Sequence, residues 1–190
     1  MKKYSVSPLF IIILTAFVLI DGSFLAVLTA IFSLWHEIWH IIVLKKTGGK
    51  IKDVSAIGVG IKLSSGMLSY KQETAVALAG PASSFFMFIA FLPFALKNEY
   101  TMFCCFSNFV IFAINILPIF PLDGGRALYF MLCDKLLPYT ASKIIKCITV
   151  IFLLPLFILS VIILVKTGYN LSLALICLYL FVIFMGVKNI

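Results

Sequence analysis

The sequence predicts an all-α polytopic membrane protein, with about six transmembrane helices and one small β-hairpin insertion in a single domain over residues 1–190. Three observations carry this expectation. Of 190 residues, 63% are hydrophobic and 12% charged, whereas soluble domains hold about 45–50% and about 25%. The apolar residues gather into runs close to the ~20 that a helix needs to cross a bilayer. Counting six such runs places nearly all the basic residues on one side, as the positive-inside rule requires.

Taken in order, the runs lie at roughly 8–20, 24–44, 72–96, 101–120, 144–165 and 170–187. The first is short and follows Lys2 and Lys3, like a signal peptide. It ends at Ile20-Asp21-Gly22 without a small-x-small cleavage site, which predicts a retained span. The polar interruption at 45–71 holds Gly48-Gly49, then Ile51–Val54 and Val59–Leu63, then Ser64-Ser65-Gly66. Alternating apolar and polar residues between Gly and Ser clusters predict a hairpin within 48–70. The mixed stretch 121–143, with Pro138, predicts a shorter helix and loop near the membrane surface.

With the N-terminus inside, every Lys and Arg except Lys97 and Lys166 falls in an inner segment, and the hairpin is cytoplasmic. The net charge of +8 then follows from topology and contact with anionic lipid, and implies no nucleic-acid partner. The five cysteines are scattered, odd in number and without a CxxC pair, which excludes a disulfide framework and a thiolate zinc site. They read as packing residues.

The second run contains His36-Glu37-Ile38-Trp39-His40. On a helix, His36 and His40 project from one face a turn apart. Glu37 stands beside the first, where it can hold a reacting water without ligating. This is the HExxH pattern, two histidines for one zinc ion and a glutamate for general base. A charged group inside an apolar helix costs at least about 2.5 kcal/mol at the bilayer centre, so such a cluster points to function. Trp35 and Trp39 read as packing or interface residues.

Catalytic zinc takes three protein ligands and leaves a position open. The acids outside the motif are Asp21, Asp53, Glu73, Glu99, Asp123 and Asp134. Asp123 stands out because Pro118 and Pro121 precede it and Gly124-Gly125-Arg126 follow. Prolines break a helix, which at membrane depth is tolerated only in protein or beside a wet cavity. The glycines permit close approach. The alternative for Asp123 is a plain helix cap.

These residues carry a resemblance. HEIWH at 36–40, paired with NILPIFPLDGGR at 115–126, resembles the signature of the site-2 protease family of intramembrane metalloproteases, and Ala79-Gly80-Pro81 resembles its weaker third motif. Within it, the chain is most similar to the stage IV sporulation protein FB branch, which activates a sporulation sigma-factor precursor. The resemblance implies one zinc ion per chain held by His36, His40 and Asp123, with Glu37 as the catalytic residue. It also implies a bacterial cell membrane and a membrane-associated or transmembrane protein substrate, cut near the cytoplasmic face, with membrane regulatory proteins as further partners. Gly80, Pro81, Ser84 and Asn115 are its candidates for substrate or oxyanion support. Relatives carry Asn where this chain has Ser84, which moves that role toward Asn115 or a backbone amide. The branch's nucleotide-sensing CBS domain is not seen after Ile190, so nucleotide regulation is not expected.

Extended substrate needs an edge, which the 51–63 strands can offer by strand addition. Two other classes are distinguishable. A metal-ion transporter would use the same His and Asp residues but keep working after Glu37→Gln, and a scaffold without activity would show broken ligands.

Overall fold

The structure is a computed structural model that describes residues 24–56, 61–66, 68–167, 177–182 and 184. The element order is α1 (Phe24–Lys46), β1 (Lys50–Ala56), β2 (Ile61–Gly66), α2 (Tyr70–Phe91), a 3-10 turn (Leu92–Phe94), α3 (Glu99–Asn115), α4 (Asp123–Cys133) and α5 (Pro138–Thr167). Residues 177–182 are also helical. The predicted span 8–20 and most of 170–187 lie outside the described residues. The chain divides into two compact units, Met1–Asn115 and Ile116–Ile190.

In the first unit, α1 is sided along its whole length. Phe24, Val27, Ile31, Leu34 and Ile38 are exposed at three- and four-residue spacing, while Ala26, Ala30, His36, His40 and Leu44 are buried. An apolar stripe left exposed among the described residues is the kind of surface a bilayer solvates. The helix stops at Gly48, whose φ of 78° is open to glycine at little cost. There Gly49 N–H donates to the Leu44 carbonyl and Gly48 N–H to that of Lys45, a Schellman ending. β1 and β2 then pair antiparallel from Lys50↔Gly66 to Ala56↔Ile61, with a bulge between Ile51 and Asp53. Residues 57–60, which lie between the two strands in sequence, fall outside the described residues.

α2 starts in a capping box. Ser69 Oγ accepts from Gln72 N–H, and Gln72 Oε1 accepts from Ser69 N–H. Gln72 also donates to the Thr47 carbonyl, tying the start of α2 to the end of α1. Phe85 with Phe112, and Phe88 with Phe109, join α2 to α3. Cys104, Cys105, Ser107 and Asn108 form the buried face of α3.

In the second unit, Ile119, Leu153 and Leu180 make a core with Leu117, Leu122 and Leu156 against them. α5 buries Ala141, Ile145, Thr149, Leu153 and Ser160, largely one residue per turn.

Three described helices are long and apolar enough to cross a membrane: Phe24–Lys46, Tyr70–Phe94 and Pro138–Lys166. Three predicted boundaries change. The span expected at 101–120 ends at Asn115, because the segment with Pro118 and Pro121 cannot continue the helical hydrogen-bond ladder. The span expected at 144–165 begins at Pro138. A proline in the first helical turn loses no hydrogen bond and is pre-set in φ, so it starts the helix rather than interrupting a loop. The third span begins at Tyr70, two residues early, since Ser69 is its cap. Four of the five cysteines are buried, Cys147 is exposed, and all are free thiols.

Candidate metal centre

α1 places His36 and His40 on one buried face, 3% and 5% exposed. Burying two imidazoles requires partners for their nitrogens, and α2 supplies them. His40 Nδ1 lies 2.7 Å from the Val76 carbonyl oxygen. A carbonyl can only accept, so this nitrogen carries a hydrogen and Nε2 is the ring atom left to ligate. His36 Nδ1 lies 2.9 Å from Ser84 Oγ. The two Nε2 atoms face each other at 3.3 Å. Gly80 stands between, and a Cβ there would meet His40 Nε2 and His36 Nε2.

Val76, Gly80 and Ser84 are spaced by four, a single stripe along α2 that acts as a frame for both rings. Donor nitrogens that converge on one point, each with its other nitrogen hydrogen-bonded, are the arrangement seen in metal-ligating histidines. The pair suits zinc by donor type, since imidazole is among its preferred ligands. Glu37 follows His36 on α1 and is half-buried. Trp35 and Trp39 pack edge to face, with centroids 6.0 Å apart.

The remaining expected residues sit as follows. Gly80, Pro81 and Ser84 are all buried in α2. Ser84 is fully covered and turned to His36, so it presents no surface to a substrate. Asn115 is the last residue of α3, and its side-chain amide donates to the Ile111 carbonyl.

In the second unit, Asp123 opens α4 behind a non-helical stretch. The cap itself is Leu122, so the helix-cap alternative for Asp123 is not what the fold uses. Arg126 Nη1 stands 3.8 Å from Asp123 Oδ1, at i,i+3. Gly124 and Gly125 let the helix press against the preceding segment. A Cβ on Gly124 would meet the Ile116 and Leu117 carbonyls, and one on Gly125 would meet Ile119 and Phe120 backbone. Thr149 Oγ1 accepts from the Phe120 N–H at 3.0 Å, pairing a backbone donor in the break. Sequence reasoning missed Val76 and Thr149. The four-residue spacing of Val76, Gly80 and Ser84 was the visible trace of the first; nothing marked Thr149.

No family model matches the chain. It is 32% identical to the zinc metalloprotease MJ0392 of Methanocaldococcus jannaschii over 107 residues, covering 53% of this chain and 32% of that protein. It is 32% identical to the stage IV sporulation protein FB of Bacillus subtilis over 146 residues, covering 72% of this chain and 50% of that protein. The chain thus spans half or less of the length of these curated relatives. The fold is similar to that of the site-2 protease from Methanocaldococcus jannaschii, with a TM-score of 0.62, 21% identity, and coverage of 96% of this chain and 87% of that one.

Proposed function

We infer that this chain, which belongs to the site-2 protease family of membrane proteins, is a zinc metalloendopeptidase that cleaves a membrane-associated or transmembrane protein. The observation that supports this best is the paired imidazoles of His36 and His40, each with Nδ1 hydrogen-bonded to α2 and Nε2 turned to a common point. In this reading Asp123 is the third ligand, and the three donors hold one ion per chain. Bound there, zinc would polarise the scissile carbonyl and acidify water. Glu37 takes the proton of the attacking water and hands it to the departing amine. Water must reach the metal, and a broken segment like that before Asp123 is tolerated at membrane depth only where protein or water satisfies its backbone.

The same reading puts the opening on the side that bears Lys45 and Lys46, which the positive-inside rule makes cytoplasmic. Substrate must arrive extended, because a helical backbone has its carbonyls engaged. Each strand of the two-stranded sheet has an outer edge, and strand addition there presents substrate in extended form. The sporulation relative makes processing of a sigma-factor precursor the first case to try.

The test is co-expression with candidate membrane substrates. Glu37→Gln keeps the ligands and removes the base, so cleavage should fall by about 10²–10⁴-fold while bound zinc persists. Cleavage that survives the change overturns the mechanism. Ile61→Pro removes a strand donor; unchanged cleavage by a folded protein would dismiss strand addition.

A further inference from the structure

We propose that Ser84 is a positioning residue of the metal centre, whose hydroxyl accepts the Nδ1–H of His36 and so turns the Nε2 lone pair of that ring to the ion. The inference rests on the zinc reading above and assigns a role to the residue that stands where relatives carry asparagine.

The two imidazoles are held by different kinds of acceptor. His40 is held by the Val76 carbonyl, an acceptor only, so its hydrogen stays on Nδ1 whether or not an ion is present. His36 is held by a hydroxyl, which can accept or donate. The facing Nε2 atoms are 3.3 Å apart, and two bare lone pairs at that distance repel. With an ion both Nε2 atoms must be bare. The hydrogen of His36 then sits on Nδ1, and Ser84 turns its hydroxyl to accept it. The Ser84 hydroxyl, 2.9 Å away, is the acceptor within reach of that hydrogen. Ser84 is fully buried, so its hydroxyl is shielded from bulk solvent.

Removing the hydroxyl strands an Nδ1–H in the ion-bound state. Loss of such an outer partner weakens metal binding by about 10–100-fold. Zinc affinity would be measured on the full chain in detergent by chelator competition, with the visible spectrum of the cobalt-loaded protein alongside. Ser84→Ala should weaken zinc binding by that factor and shift the cobalt bands. Ser84→Thr and Ser84→Val are near-isosteric and differ in the hydroxyl, so Thr should bind as wild type and Val as Ala. Ser83→Ala is the packing control. Ser83 is also buried, but its hydroxyl donates to the Gly80 carbonyl and touches neither imidazole, so zinc affinity should hold.

Wild-type affinity in both Ser84→Ala and Ser84→Val would overturn the role. So would equal losses in Thr and Val, or a loss in Ser83→Ala matching that in Ser84→Ala, since either would make the effect one of packing. Should Ser84→Ala fail to fold, the Thr and Val pair decides. A wild-type chain that binds no zinc would instead refute the metal centre itself.

Discussion

The two regions that supply the candidate ligands are built in opposite ways. His36 and His40 sit within an unbroken helix of 23 residues and are aimed by side-chain hydrogen bonds to a second helix. Asp123 sits at the start of an 11-residue helix behind a break and is placed by backbone packing. Glycine shows the contrast best. Gly80 makes room for imidazole nitrogens, whereas Gly124 and Gly125 make room for carbonyls and backbone of residues 116–120. The first region protects the orientation of donor atoms, the second the path of the chain. A histidine on a regular helix needs its ring turned; an aspartate on a broken one needs its backbone held.

Three substitutions can break or sharpen that contrast. The largest effect belongs to Gly80→Ala. Its methyl group would occupy the space of both Nε2 atoms, so zinc affinity should fall by more than the about 100-fold that loss of an outer partner costs. The thermal stability of the zinc-free protein should change little, because ring ends can shift. A large fall in that stability with zinc binding intact would put Gly80 in the structural class of Gly124.

Gly124→Ala should do the reverse. Its methyl group meets carbonyls that cannot move without bending the chain, and overpacking of this kind costs about 3 kcal/mol or more at the upper end of its range. Reduced resistance to unfolding in detergent would report it; a wild-type unfolding curve would remove the contrast. Thr149→Val is the smallest test. It leaves the Phe120 N–H without its acceptor, which should cost about 1–2 kcal/mol in the same assay, with zinc affinity lowered only if Asp123 depends on the shape of the break.

Much of this was legible in the sequence, and the reasons are local. Periodicity placed His36 and His40 on one face, Pro118 and Pro121 announced the break, and Gly48 beside Ser64–Gly66 framed the strands. Pro138 was read as a loop residue although it has the position of a first-turn proline. The pairing of His36 with Ser84 spans 48 positions, and that of Phe120 with Thr149 spans 29. Such contacts follow from how helices dock, which no local pattern encodes. Ser84 was therefore visible as a departure from a motif, but its partner was not.

The exposed stripe of α1 has a consequence for depth. At 1.5 Å per residue, His40 lies roughly 9 Å and His36 roughly 15 Å along the axis from Lys46, in a hydrocarbon layer about 30 Å thick. On that scale His40 lies in the half of the layer nearer the basic end and His36 near its middle, so water from the basic end reaches His40 first. Because the exposed face of α1 from Phe24 to Ile38 is apolar, thickening the bilayer should sink the candidate ligands and lengthen the wet path. Turnover in vesicles of graded acyl-chain length would then decline as the chains grow, a dependence on the lipid that no soluble peptidase shares.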